Sequence, residues 1–190
     1  MAPVDNLLVS VSAQIFVVAA IFVAGSLMAR EREAGTLAWV ASKPVTRASI
    51  WTSKFVSATG MLALVAGIVP LAATVVLVTV LYGAPPIGVV IGLAAGIIAA
   101  IAFFTALGLG FGTILPGQAA SIAAGFGVFA LLPIIGSILP IAEFLPTSMV
   151  SWPAAALSGA SVSWVTPVAW LVVTGGLAAL AIRRVGRMEL

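Results

Sequence analysis

The chain is 190 residues long, 63% hydrophobic and only 7% charged, with a mean hydropathy of +1.30 and a formal net charge of +3. A soluble domain is about 25% charged, so this chain has too little polar surface to face water and reads as an integral membrane protein. Cysteine and histidine are both absent, which excludes disulfides, thiolate and imidazole catalysis, and the commonest metal ligands.

The apolar runs are far longer than the mean strand of about 5–6 residues. Helices satisfy their own backbone hydrogen bonds in lipid, so the fold class is all-α, a bundle rather than a barrel, organised as a single transmembrane domain. The carboxylates are Asp5, Glu31, Glu33, Glu143 and Glu189. None lies near the middle of an apolar run, which argues against a proton relay through the bilayer.

Residues 7–29 form the first apolar run, about long enough for a hydrocarbon core of roughly 30 Å. The segment before it has no basic residue and so lacks the n-region of a signal peptide. Arg30 and Arg32 follow as a stop-transfer flank. A second run spans 55–81, with Pro70 inside it, and ends at the turn signal Tyr82-Gly83-Ala84-Pro85-Pro86. The third run covers 87–114, Leu115-Pro116-Gly117-Gln118 is a second turn, and the fourth run covers 119–139 with Pro133 inside it. Pro70 and Pro133 are expected to break or kink their spans. The fifth run covers 164–182.

The segment 140–163 is too long for a turn and too apolar to float in water. It reads as short interfacial or re-entrant helices on the outer side, with Trp152 and Trp164 at headgroup depth; an ordered surface loop is the alternative. All eight Lys and Arg lie in two places, five between Arg30 and Lys54 and three between Arg183 and Arg187. Positive flanks stay cytoplasmic, which requires an even number of crossings between them, and the four later runs supply it. The expected topology is about five spans, amino terminus outside and carboxyl terminus inside.

The charged segment 30–54 is more than a flank, with both charge signs, a glycine, a proline and two tryptophans. From Glu31 to Ala41 the pattern suits a short helix, with Leu37, Val40 and Ala41 on one side and Glu33 on another. Lys43, which precedes Pro44, is biased out of the α region, so that helix should end there. Thr46 is an expected N-cap for a second helix that starts at Arg47 and continues through Trp51 and Lys54 into the next span. The other reading of this pattern is an amphipathic loop held at the headgroups by Trp39, Trp51 and the basic residues.

The ordered set Glu31-Arg32-Glu33-x-Gly35-Thr36-Leu37, then Pro44-Val45-Thr46-Arg47, then Lys54 ahead of a span, resembles the signature of ABC-2 type transporter permeases. It is most similar to the branch that includes the permease associated with nitrous-oxide reductase maturation, and the resemblance covers nearly the whole chain. Such permeases typically have six spans, and their first intracellular loop carries a coupling helix that docks on a nucleotide-binding subunit. The resemblance implies that Glu31–Ser42 is this coupling helix. Glu31, Arg32, Glu33, Gly35, Thr36 and Leu37 would then contact the ATPase, Arg32 and Glu33 ionically, Gly35 by close approach and Leu37 as apolar anchor. Pro44, Thr46, Arg47 and Lys54 would form the elbow and span entry, and the turn Leu115–Gln118 a second, smaller cytoplasmic contact.

By the same resemblance the partners are a soluble ABC ATPase, a second permease chain in a homodimer or heterodimer, and the lipid bilayer, with no nucleic acid. ATP and Mg would sit on the ATPase and no cofactor on this chain, which would be a non-catalytic, multi-pass protein of a prokaryotic cytoplasmic membrane. The family's first span has no counterpart here, so the chain is expected to begin where a second span normally stands, through a truncated start or as a shortened subunit. The expected function is the permease subunit of an ABC exporter. The alternatives are an ATP-independent transporter or channel, and a membrane assembly protein that recruits another soluble partner.

Gly108, Gly110 and Gly112 lie inside an apolar run with no Lys-Ser/Thr after them, so the phosphate-loop pattern fails. They are expected to let helices pack closely, as are Gly92 and Gly96 at small-xxx-small spacing.

Overall fold

The computed structural model describes residues 2–36, 46–139, 145–149, 152 and 165–186. All regular structure among them is helical. Helix α1 is Ala2–Glu33, α2 is Arg47–Leu62 and α3 is Val69–Tyr82, with a π-helical segment Ala63–Ile68 joining the last two. Helix α4 is Ile87–Ile114, α5 is Gln118–Ile138 and α6 is Val165–Gly186, with a 3₁₀ turn at Pro146–Met149 before α6. Among the described residues, four stretches are long and apolar enough to cross a membrane: Ala48–Tyr82, Ile87–Ile114, Gln118–Ile138 and Val165–Arg184. The first apolar run, 7–29, lies within the 32 residues of α1.

Helix α1 continues past that run, so Arg30 to Glu33 form its last turn rather than the start of a separate helix. It stops at Gly35, whose φ of +69° an L side chain rarely adopts, and whose amide donates to the Arg32 carbonyl at 3.2 Å. The backbone is helical again at Thr36. The remainder of the expected coupling helix, Leu37–Ser42, lies outside the described residues, as does Pro44.

Helix α2 begins at Arg47 because Thr46 caps it. Thr46 has extended dihedrals (φ −73°, ψ 142°) and its hydroxyl accepts from the Ser49 amide at 3.2 Å. Pro70 does not break the second span. Proline has no N–H and its ring crowds the carbonyl four residues back; six residues, Ala63–Ile68, adopt π-helical geometry just before it. The Val69 amide reaches the Leu64 carbonyl, five residues back, so the ladder shifts register and the helix runs on. Pro133 likewise lies inside an uninterrupted α5.

Helix α4 is central and touches α1, α2, α5 and α6. Small residues set its spacing from α1. A Cβ on Gly108 would stand 2.8 Å from Ala24 Cβ and 2.9 Å from the Gly25 nitrogen, and one on Gly112 would stand 3.1 Å from Met28 Cβ. Gly125 of α5 meets Ile21 of α1 in the same way, at 2.6 Å. Gly92 and Gly96 are buried too.

One core cluster gathers Ile21, Ile97, Ile101, Phe104 and Leu107, with Phe104 edge-on to Phe129. A second joins Ala24 and Met28 of α1, Ile50 and Trp51 of α2, Ala106 and Leu109 of α4, and Ala181 of α6. Trp51 is 1% exposed and stacked on Phe55 at 5.3 Å. It is a core residue, not the headgroup anchor that the alternative reading required, because α2 turns it inward against the ends of α1, α4 and α6. Trp152 is half-buried, edge-on to Trp170 at 6.0 Å. The outward surface carries exposed large side chains such as Val76, Val80, Ile87 and Leu171, an apolar exposure suited to lipid rather than water.

Replacing Gly108 by Ala should lower stability by ~1–3 kcal/mol, the usual cost of overpacking against atoms that cannot move aside. Gly110→Ala, two residues away with nothing within 4 Å of its Cβ, should be neutral or stabilising through helix propensity. Parallel unfolding titrations in mixed micelles check the pair, and equal losses would contradict the seam.

Candidate functional site

The second core cluster brings the carboxyl ends of α1, α4 and α6 together with the amino-terminal half of α2. Arg30, Arg32 and Lys54, together with Arg183 and Arg184, therefore lie at one end of the bundle. Three consecutive side chains of α1 organise that end. Successive residues of a helix point about 100° apart, so Glu31, Arg32 and Glu33 fan out to three different elements.

Glu31 reaches Lys54 of α2, Oε1 to Nζ 2.5 Å, with the side chains 32% and 18% exposed. Arg32 turns to the end of α4, donating from Nη1 to the Thr113 carbonyl at 3.1 Å and from Nη2 to the Leu115 carbonyl. The last carbonyls of a helix have no partner in their own ladder and carry its negative pole, and a two-pronged cation answers both needs. Glu33 does the converse at the start of α5, where its Oε1 accepts from the Gln118 amide at 2.9 Å. A carboxylate at a helix amino end is the favourable polarity.

The turn between these poles is held by further contacts. Gly117 has φ +92°, and a Cβ there would stand 3.0 Å from Glu33 Oε1. Ser121, fully buried, donates from its hydroxyl to the Gly117 carbonyl at 2.9 Å. Thr113 ties its own hydroxyl to the Gly110 carbonyl at 2.6 Å. Beside the clasp, Arg32, Glu33, Ile114, Pro116 and Gly117 line a shallow open groove of about 340 Å³.

Of the residues expected to contact a partner, Glu33, Gly35 and Thr36 are exposed, whereas Glu31 and Arg32 are half-buried. Leu37 lies outside the described residues. Arg47 starts α2, and Lys54 holds Glu31 one to two turns further on. Sequence reasoning placed the turn 115–118 at this side but missed that Thr113, Leu115 and Gln118 receive Arg32 and Glu33. The signal available was a short helix-turn-helix with orphan carbonyls and amides opposite a run of alternating charge. A second groove, about 270 Å³ and walled by Gly96, Ala99, Met149, Trp152 and Trp170 among others, lies between α4 and α6. No group of His, Cys, Asp or Glu among the described residues could hold a metal ion.

An all-helical bundle with several lipid-length apolar helices, its basic groups gathered at one end, is a multi-pass membrane protein. Residues 3–183 match the family model described as ABC-2 family transporter protein, and the chain belongs to that family. Comparison with curated proteins and with solved structures gave no match. Membership makes this a transport protein of the ABC-2 permease type, typically a non-catalytic membrane subunit, and implies association with an ABC ATPase.

A double-mutant cycle on Glu31→Gln and Lys54→Met should give a coupling energy of about 1 kcal/mol or less, because both side chains still touch solvent. The coupling should shrink as salt is raised. Unfolding titrations at low and high ionic strength check it, and a coupling indifferent to salt would contradict an ion pair of this exposure.

Proposed function

We propose that the chain is the permease subunit of an ABC exporter, driven by a separate ATPase that docks on the elbow segment following α1. The observation that carries this reading is the family match across residues 3–183. Gly35 and Thr36 are exposed at the start of the elbow segment, and Leu37 follows them in the sequence as the apolar anchor that the resemblance implies. Thr46 caps the start of α2, so movement of the docked elbow, the segment that contains Pro44, reaches the second span through Arg47 and Lys54. ATP and Mg sit on the partner, and this chain holds neither.

In this reading the charged end faces the cytoplasm, in keeping with the positive-inside rule. Helix α1 crosses with the four other spans, and the amino terminus lies outside. Two permease chains pair so that substrate passes between their bundles in a prokaryotic cytoplasmic membrane. The narrower likeness to the nitrous-oxide reductase maturation branch rests on the ordered charged set of residues 31–54.

Capture of the tagged chain from detergent-solubilised native membranes, followed by mass spectrometry, should recover an ATPase with Walker motifs. Leu37→Asp should lose that ATPase while still inserting in the membrane. Recovery of other membrane complexes but no ATPase would favour an ATP-independent transporter or an assembly protein.

A further inference from the structure

We propose that Arg32 and Glu33 are positioning residues that fasten the root of the elbow to the α4–α5 turn, so that both loops at the charged end move as one body. The proposal rests on the permease reading but gives these two side chains a task inside the chain rather than on the ATPase. Both contacts join groups of opposite polarity: a guanidinium on the carbonyls that end α4, and a carboxylate on the amide that starts α5. One grip falls on Thr113 and Leu115 at the start of the three-residue turn Leu115 to Gly117, the other on Gln118 just past its end. That turn is itself braced by Ser121 and closed around Glu33 at Gly117.

The position of the clasp matters as much as its polarity. Gly35, where α1 ends and the elbow segment starts, is two residues beyond Glu33. A displacement of the elbow must therefore pass the clasp before it reaches the body of α1. With the clasp closed, α4 and α5 are displaced together with α1. With it open, the covalent path into α1 and α2, the Glu31–Lys54 pair and the apolar seams of α1 remain, and the seams hold no polar fixed point.

Conservative variants separate this role from an ionic contact with the ATPase. Glu33→Gln keeps an acceptor oxygen for the Gln118 amide but removes the charge. Arg32→Lys keeps the charge but loses the planar fork that reaches two carbonyls at once. A positioning role leaves Glu33→Gln close to wild type and impairs Arg32→Lys, and an ionic partner contact does the reverse.

The chain has no cysteine, so Ala34→Cys and Ala119→Cys, both at exposed positions and neither among the expected ATPase contacts, can carry spin labels without background. Pulsed electron paramagnetic resonance in nanodiscs reads their separation in the chain alone, with the co-purified ATPase, and with that ATPase and a non-hydrolysable ATP analogue. One narrow distance is expected in all three states and in Glu33→Gln. In Arg32→Lys and Glu33→Ala a separated population should rise about tenfold, the effect of losing a charge-assisted hydrogen bond. The ATPase should still co-purify with these two variants, and ATP hydrolysis by the complex should lose its dependence on the permease.

A wild-type distance that shifts with the nucleotide overturns the proposal, because the two loops then move separately. So does loss of the ATPase in Glu33→Gln with its retention in Arg32→Lys. If no ATPase accompanies even the wild-type chain, the permease reading fails, and the distance in the chain alone still decides whether the clasp holds the loops together.

Discussion

The grip of Arg32 on the last carbonyls of α4 resolves a problem that every short turn at a membrane boundary creates. A helix leaves about four carbonyls unpaired at its end and four amides unpaired at its start. Only Leu115, Pro116 and Gly117 separate α4 from α5, and Pro116 brings no donor of its own. The neighbouring helix supplies part of what is missing, with Arg32 for two carbonyls and Glu33 for the Gln118 amide. Helix α1 must therefore outlast its apolar run by about a turn, and it ends at Glu33 rather than at residue 29.

Whether Arg32 arrives at the right height is decided inside the bundle. Lipid tails are as apolar as the helices, so helix contacts in the membrane depend on close packing rather than on escape from water. Ala24 and Met28 pack on Gly108 and Gly112 of α4, and Arg32 continues the same stripe four residues further on. Ile21 and Gly25 meet Gly125 and Ile122 of α5, and Glu33 continues that stripe eight residues beyond Gly25. Each apolar seam thus ends in the charge suited to the pole of the helix it follows. The seam sets the register and the charged pair fixes it. A larger residue at Gly108 would disturb the clasp without touching it.

These levels were unequally legible in the sequence. Apolar runs separated by proline and glycine turns gave the later spans directly, and Thr46 gave the start of α2, because both signals are local. The effect of Pro70 was not legible: proline announces a missing hydrogen bond but not the remedy, and the π-helical register shift at Ala63–Ile68 depends on how the span packs, with Gly67 against Ile97 and Ile101 of α4. Trp51 looked interfacial because it lies within the charged segment. Its burial is set by the angle at which α2 enters the bundle, which no local pattern encodes. The partners of Arg32 and Glu33 escaped for a similar reason, since they are backbone groups more than eighty residues away and leave no side-chain signature. Family resemblance drew attention to these charges but also suggested an external use for them.

The distribution of charge constrains how work can be done by such a chain. The ionisable side chains lie at run boundaries, within residues 140–163 or near the termini, which offers no chain of ionisable groups at depth for a proton relay. The glycines of α4 do not form a phosphate-binding loop either. On the permease reading proposed above, work reaches the chain as a mechanical displacement at the end where its charges are gathered. Helix α4 is the element best placed to distribute that displacement, since it contacts α1, α2, α5 and α6. A connection that reaches α4 only through apolar packing could slide along a seam of small residues. A guanidinium held by two carbonyls has direction, and resists sliding along the helix axis as well as separation. The polar clasp therefore supplies what the apolar seam lacks: a fixed point at which movement of α1 becomes movement of α4.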